Sequence, residues 1–195
     1  MTSMHEAPMF DLSPRLGFDA ELLLRAQPVR VLLLDVDGVL TPGDLLVGAD
    51  GEQLKRFSTL DGHGLKLLAS CGVRAAVVSG RDSPALRARL RELGLLEHAV
   101  LGRSHKLPGA QGVLRELGVE WEQAAVIGDD WPDLPLLVRA RLAACPPQSH
   151  PEVLARVHYR TRAAAGQGAV RELCDLLLCA QGAYAALLEQ AVRGD

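Results

Sequence analysis

The fold is decided by the stretch VRVLLLDVDGVLT, residues 29–41 of the 195-residue chain. Residues 29–34 form a nearly continuous apolar run, which is typical of a strand buried on both faces of a parallel sheet. Asp35 and Asp37 follow at once, and side chains two positions apart on an extended chain share a face. Aspartate is disfavoured in strands and rarely buried without a partner, so packing alone does not explain the pair. A strand end with turn-forming Asp and Gly is the plainer alternative.

Strands and helices alternate along the rest of the chain. Further strands are predicted over residues 73–78, 99–101, 124–127 and 142–144. One predicted helix begins at Ser83-Pro84 and ends at Gly94, another ends at Gly118, and a last one contains Val170 and Leu177. This alternation predicts an α/β fold: a Rossmann-like three-layer sandwich with a central parallel sheet.

A hairpin is predicted directly after the first strand. Strand-like residues 45–47 and 53–57 flank Gly48-Ala49-Asp50-Gly51, and Asp-Gly between two such segments is a turn signal. We expect this hairpin to form a flap over the carboxyl ends of the strands, where open α/β sheets bind ligands. The spacings of 44 residues from Asp35 to Ser79 and 27 from Ser79 to Lys106 leave no room for a separate cap domain.

Composition restricts the class of protein. Hydrophobic residues make up 48% and charged residues 23%, with a net charge of −3, so we expect a well-filled core and no nucleic-acid partner. No apolar run approaches the ~20 residues of a membrane span, and the first residues do not resemble a signal peptide. The four scattered cysteines are typical of a reduced, cytoplasmic protein. We predict a leader over residues 1–28 packed on the domain, one domain over 29–182, and a tail over 183–195.

Chemically useful side chains follow four successive predicted strands. They are Asp35 and Asp37, then Ser79 with Gly80 and Arg81, then Lys106, then Asp129 and Asp130, with Asp133 a few residues later. Each group alone has an ordinary explanation, such as a loop pair, a solvated lysine or a helix cap. Because the carboxyl ends of parallel strands meet in one crevice, we expect the groups to lie together.

This set of side chains suits phosphoryl transfer through an aspartyl phosphate. A carboxylate can serve as the nucleophile and divide hydrolysis into two easier steps. Its repulsion of the phosphate, about 4 kcal/mol for unit charges at ~4 Å and an effective dielectric of 20, calls for a cation. Mg²⁺ is held by one or two carboxylates together with substrate phosphate. Ser79 and Lys106 would complete the phosphate site.

The order of motifs resembles the haloacid dehalogenase (HAD) superfamily of phosphohydrolases, and within it the 3-deoxy-D-manno-octulosonate 8-phosphate (KDO 8-phosphate) phosphatases. The resemblance covers residues 31–182. It rests on LLLDVDGVLT, on DGxG at 61–64, on SGR at 79–81, on GDDxxDLP at 128–135 and on GQGAVRELCDLLLCAQG at 166–182. It implies a Mg²⁺-dependent phosphatase of lipopolysaccharide biosynthesis that acts on a sugar-acid phosphate. It also implies a homotetramer whose neighbouring subunits close the active site with hairpins and the carboxyl-terminal segment.

The resemblance also implies roles for individual residues. Asp35 would be the nucleophile and a metal ligand, and Asp37 the acid–base residue with its backbone carbonyl on the metal. Asp129 would be the further metal ligand, supported by Asp130, while Ser79 and Lys106 would hold the phosphoryl group. Other positions of the family's substrate pocket match Ser58, Asp61, Gly62, Lys66, Gly80, Arg81, Arg89 and Arg171.

Some positions depart from the family pattern. They are Pro42, Leu60, His63 and Lys66. These departures leave a nonulosonate 9-phosphate or another small sugar phosphate open as the substrate. A catalytically silent, tetramer-forming HAD-like domain is a further alternative, against which the presence of both Asp35 and Asp37 argues. The order of residues argues against a phosphoreceiver module, in which the acid pair comes early and the lysine last. The lack of a complete glycine motif argues against a nucleotide-binding module.

Overall fold

The computed structural model of the protein describes residues 15–49 and 51–194. In chain order, the strands of this part are β1 Val31–Leu34, β2 Leu46–Gly48, β3 Gly51–Leu54, β4 Arg74–Val78, β5 Ala99–Val100, β6 Ala124–Ile127, β7 Leu142–Cys145 and β8 Tyr159–Arg160. The helices are α1 Ala20–Ala26, α2 Thr59–Ser70, α3 Pro84–Glu92, α4 Lys106–Leu117, α5 Leu134–Leu137, α6 Pro151–Leu154, α7 Ala169–Ala180 and α8 Tyr184–Arg193.

A parallel sheet with the order β5-β4-β1-β6-β7-β8 forms the centre of the molecule. Strand β1 lies between β4 and β6, so that Leu34 is in register with Val77 on one side and Ile127 on the other. All four β1 residues are buried, as their continuous apolar run predicts. The central position of β1 places Asp35 in the middle of the carboxyl edge of the sheet.

Helices cover both faces of the sheet. Alternate β1 residues point to opposite faces: Leu32 and Leu34 pack in one core with α1, α2, α3 and α7. Val31 and Leu33 pack in the other core with α4, α5 and α6. The predicted three-layer α/β sandwich is therefore confirmed.

The predicted elements agree with the structure in type and differ at some ends. Strand β6 has the predicted bounds, whereas β1 begins two residues later than predicted. The Ser83 side chain caps α3 by accepting a hydrogen bond from the backbone N–H of Leu86 at 3.3 Å. Gly118 ends α4 at a φ of +65°. Strand β8 was not predicted, because its two residues include Arg160 and form no apolar run.

The hairpin is present, but its second strand lies earlier than predicted. Strands β2 and β3 pair antiparallel, and β3 occupies residues 51–54 rather than 53–57. Gly51, at a φ of +98°, pairs with Gly48, which keeps the connection tight. Lys55 turns inward after β3, and Ser58 already caps α2. The turn residue Asp50 lies outside the described residues.

The two connections where a separate cap domain could be inserted are short. Within the described residues, only the hairpin and α2 separate β1 from β4. Helix α3 and a 3₁₀ turn at Leu96–His98 separate β4 from β5. The expected absence of a cap domain agrees with these short connections.

Both ends of the described chain pack on the domain. Phe18, just before α1, and Leu22, within α1, pack against the core. The Gln181 side chain donates a hydrogen bond to the Gln27 carbonyl at 2.9 Å. The predicted tail contains helix α8, which was not predicted and which packs Tyr184 and Leu187 against the core. Residues 1–14 of the predicted leader lie outside the described residues, and the division into leader, domain and tail stays a prediction. Among the described residues, 15–49 and 51–194, no helix is long and apolar enough to cross a membrane.

Candidate active site

The carboxyl ends of β1, β4 and β6 border an open cleft of about 520 Å³. Its lining includes eight residues predicted for the site: Asp35, Asp37, Ser79, Gly80, Arg81, Lys106, Asp129 and Asp130. Ser104, Pro132 and Asp133 complete the lining. The structure thus brings together the groups that follow the four predicted strands.

Lys106 connects two carboxylates at the floor of this cleft. Its Nζ lies 2.7 Å from Oδ1 of Asp35 and 2.6 Å from Oδ1 of Asp133, and the lysine is only 5% exposed. Burial by itself lowers the pKa of Lys106, but attraction to Asp133 and Asp35 outweighs it and raises that pKa. Lys106 therefore stays charged and holds the Asp35 carboxylate in place.

Three carboxylates form a cluster with oxygens within 4.8 Å of one another: Asp35, Asp129 and Asp133. Burial, reinforced by repulsion from Asp133, raises the pKa of Asp35 to about 6. Burial and repulsion from Asp35 and Asp133 raise the pKa of Asp129 to about 8. A crowded set of oxygen donors of this kind fits a hard divalent cation, which would relieve the repulsion.

Asp133 was grouped with the side chains after the fourth predicted strand but was given no role there, although its carboxylate is central. It lies on the 3₁₀ turn Trp131–Asp133, where its Oδ2 accepts hydrogen bonds from the backbone N–H of Asp129 at 3.1 Å and of Asp130 at 3.4 Å. Gly128 makes room for it, since a Cβ there would lie 2.4 Å from the Asp133 side chain. The signal in the sequence was a third aspartate four residues after Asp129. Asp130 lines the cleft but is outside the cluster, and its predicted supporting role stays a prediction.

Asp37 lies at the hairpin side of the cleft. Its Oδ1 accepts hydrogen bonds from Lys55 at 2.5 Å and from the Thr41 hydroxyl at 3.4 Å. Arg81 lies 3.8 Å from Oδ2. Sequence reasoning missed Lys55, because a single lysine after a hairpin strand is usually solvated.

Six predicted substrate-binding residues lie outside the lining of this cleft: Ser58, Asp61, Gly62, Lys66, Arg89 and Arg171. Asp61 is buried, and its Oδ1 accepts a hydrogen bond from the backbone N–H of Arg171 at the start of α7. Burial raises the pKa of Asp61 against the opposing effect of backbone N–H groups, that of Arg171 first. In this single chain Asp61 thus joins α2 to α7, and its role toward substrate stays a prediction.

The rest of that set surrounds α2. Arg89 donates to the Ser58 carbonyl at 3.2 Å, and a Cβ on Gly62 would lie 2.3 Å from the Arg89 guanidinium. Arg171 pairs with Asp175 at 2.8 Å, and Lys66 is exposed. Their roles in substrate binding likewise stay predictions.

Fold and site together define a class of protein. These features are a carboxylate at the tip of the central strand, a buried lysine beside it and an acidic cluster in the same cleft. They are typical of the phosphoric monoester hydrolases of the HAD superfamily.

Comparison with known proteins narrows the class to a family. The chain is 39% identical to the KDO 8-phosphate phosphatase KdsC of Escherichia coli K12 over 163 residues, which cover 84% of this chain and 86% of that protein. The crystal structure of the KDO 8-phosphate phosphatase from Yersinia pestis has a TM-score of 0.82 at 38% identity and covers 85% of this chain and 89% of its own. No protein-family model matches the chain.

A third relative was crystallised with ligands. The KDO 8-phosphate phosphatase from Moraxella catarrhalis, in complex with magnesium, phosphate and KDO, has a TM-score of 0.84 at 34% identity. It covers 87% of this chain and 97% of its own. The chain belongs to the KDO 8-phosphate phosphatase family, and it is a phosphoric monoester hydrolase.

Proposed function

We propose that this enzyme hydrolyses KDO 8-phosphate to KDO and phosphate in a Mg²⁺-dependent reaction through an aspartyl-phosphate intermediate. The observation that carries the proposal is the position of Asp35, which forms an ion pair with buried Lys106 at 2.7 Å and clusters with Asp129 and Asp133. The relatives named for this activity support the choice of substrate.

The donor set fits Mg²⁺. Asp35 and Asp129 would hold the ion, together with the backbone carbonyl of Asp37, and the position of Asp133 in the same cluster gives it a supporting contact. The raised pKa values of Asp35 and Asp129 reflect burial and carboxylate repulsion that a cation would relieve. When bound, Mg²⁺ offsets the repulsion between the Asp35 carboxylate and the phosphate.

The reaction then uses the side chains of the cleft in two steps. The Asp35 carboxylate attacks phosphorus as the bond to the sugar oxygen breaks, and Asp37 donates a proton to that oxygen. Asp37 next removes a proton from water, which attacks the phosphorus of phospho-Asp35, releases phosphate and restores the carboxylate. Lys106 and Ser79 hold the phosphoryl oxygens as charge moves between the two partners.

Replacement of the nucleophile tests this function. Asp35→Asn keeps the shape of the side chain but removes its nucleophilicity, so release of phosphate from KDO 8-phosphate should fall at least about a thousandfold. Asp19→Asn, a change of the same kind at an exposed site, should leave turnover unchanged. Activity of Asp35→Asn within tenfold of the wild type would overturn the assignment.

A substrate panel separates the alternatives. Specificity constants for KDO 8-phosphate, a nonulosonate 9-phosphate and neutral sugar phosphates should rank KDO 8-phosphate first. A preference for the nine-carbon acid would identify that phosphate as the substrate and leave the proposed reaction unchanged. Lack of phosphate release from every ester with Mg²⁺ would favour the silent HAD-like domain instead.

The proposal includes a homotetramer whose neighbouring subunits close the cleft with the hairpin and the carboxyl-terminal segment. Four apolar side chains on the hairpin are 40–68% exposed: Leu45, Leu46, Val47 and Leu54. Exposed apolar side chains concentrated in one short hairpin favour a protein interface there, and closure would exclude water from the open cleft. A fully active monomer in light scattering would contradict the homotetramer.

We place the enzyme in the cytoplasm, where free cysteines such as buried Cys145 and Cys174 persist.

A further inference from the structure

The side chain of Lys55 is buried in an unusual place for a lysine. It directly follows β3 at the base of the hairpin, yet it is 1% exposed. Lysine is almost never fully buried unless its charge is paired. Its Nζ lies 2.5 Å from Oδ1 of Asp37 and 3.1 Å from Oε1 of Glu52. The ammonium group therefore links the hairpin to the residue proposed as the acid–base catalyst.

Glu52 contacts the Lys55 ammonium in addition to Asp37. Burial by itself raises the pKa of Glu52, but the neighbouring Lys55 and Arg81 outweigh it and lower that pKa, so that the carboxylate stays charged beside the lysine. Lys55 is consequently held from both sides and has little freedom to reorient.

The contacts of Asp37 are unequal at its two oxygens. Among the described residues, both hydrogen bonds to its carboxylate, from Lys55 and Thr41, fall on Oδ1. At Oδ2, the neighbouring Arg81 lies 3.8 Å away, which is beyond hydrogen-bond distance, and its side chain is 53% exposed. Oδ2 is thus the oxygen left to exchange a proton with a ligand in the cleft.

We propose that Lys55 is a positioning residue for the phosphatase reaction. Anchored by Glu52, it fixes Oδ1 of Asp37 and so aims Oδ2 at the leaving oxygen and then at the attacking water; this role rests on the proposed function of Asp37. A general acid must come within about 2.6–3.2 Å of the atom that it protonates. A displacement of about 1 Å can cost a hundredfold in rate.

The test compares turnover of KDO 8-phosphate by full-length variants. Lys55→Met removes the ammonium at similar side-chain length and should lower kcat about 10- to 100-fold, with KM changed less than threefold. Lys55→Arg restores a cation and should return kcat to within tenfold of the wild type. Arg56→Met, the same kind of change at the next, exposed position, should leave kcat within twofold.

A double-mutant cycle distinguishes positioning from a general structural effect. If Lys55 acts through Asp37, Lys55→Met should change single-turnover phosphate release less than twofold in an Asp37→Asn background. If Lys55→Met is too unstable to purify, Glu52→Gln decides, because loss of the anchor should lower kcat three- to tenfold. An unchanged kcat in that variant would overturn the role.

The experiments distinguish failure of the proposed function from failure of the proposed role of Lys55. A wild-type protein that releases phosphate from no ester refutes the proposed function and the role of Lys55 with it. Normal wild-type turnover, combined with a Lys55→Met kcat within threefold of wild type or an equal loss in the Asp37→Asn background, overturns the role of Lys55 alone.

Discussion

A Cβ atom on Gly38 would lie 2.0 Å from Oδ2 of Asp129. Gly38 also has a φ of +86°, a backbone conformation that glycine adopts without strain. The loop after β1 thus approaches the acidic cluster as closely as a residue without a side chain permits. We predict that Gly38→Ala displaces the Asp129 carboxylate, lowers kcat at least tenfold and raises the Mg²⁺ concentration for half-maximal activity at least tenfold. A Mg²⁺ titration of phosphate release measures both.

Gly94→Ala is the matched control for backbone strain. Gly94 has a φ of +70°, but an added Cβ there meets open space. Both variants should lose about 1 kcal/mol of stability from the left-handed conformation alone, while Gly94→Ala keeps the wild-type Mg²⁺ requirement. Equal Mg²⁺ requirements in the two variants would show that the contact with Asp129 is unimportant.

Stability of the metal-free enzyme should fall as the pH rises. Burial first, and then repulsion among the clustered carboxylates, raises the pKa of Asp35 to about 6 and of Asp129 to about 8 from ordinary values near 3.8. A carboxyl with a higher pKa in the folded state stabilises the fold fully below its unfolded pKa, and that contribution is lost as pH rises through the folded value. Thermal unfolding with a chelator should therefore show a Tm several degrees lower at pH 8 than at pH 5.

Two comparisons assign this effect to the cluster. Asp129→Asn removes the group with the higher pKa, so its Tm should decline less between pH 6 and pH 8 than that of the wild type. Mg²⁺ competes with protons for the same oxygens and should raise the Tm of the wild type more at pH 8 than at pH 5. A wild-type Tm that rises across this range without metal would contradict the assigned shifts.

Loss of Lys106 should cost stability as well as activity. Lys106→Met leaves Asp35 and Asp133 without their shared cation, and removal of one partner from a buried ion pair costs about 3–5 kcal/mol. The loss should be smaller at pH 5, where Asp35, whose pKa burial raises to about 6, takes up a proton. Urea unfolding at both pH values measures it, with exposed Lys66→Met expected to change stability by less than about 0.5 kcal/mol. Equal stability of the two variants at pH 8 would be inconsistent with the pairing.

Sequence patterns predicted the strands of the sheet because their physical cause is local. A strand buried on both faces needs a continuous apolar run, and β6 has the predicted bounds for that reason. Polar groups that directly follow such runs must meet at one edge of the sheet, which is why the sequence alone could group Asp35, Ser79, Lys106 and Asp129.

Residues that act through contacts distant in the sequence could not be predicted in this way. Lys55 is buried only because the hairpin folds back to Asp37. The residue pattern of β3 does not predict that contact. Asp133 was grouped with the fourth strand end, but its hydrogen bond from Lys106, 27 residues away in the sequence, depends on the turn that aims its carboxylate and was not predicted. Helix α8 was missed because its apolar residues gain a partner only when Tyr184 and Leu187 reach the core.

Asp61 gives a test between support of a helix and contact with substrate. Gly168, at the start of α7, has no side chain with which to cap the helix, and the Asp61 carboxylate accepts the Arg171 N–H at 2.8 Å instead. Loss of a capping acceptor costs about 0.5–2 kcal/mol, so Asp61→Ala should lower the free energy of unfolding by about 2 kcal/mol. Asp61→Asn keeps an acceptor oxygen and should lose about half as much. If Asp61 acts mainly through α7, KM should rise less than threefold in Asp61→Asn, whereas a large rise in KM at unchanged stability would assign the carboxylate to substrate binding.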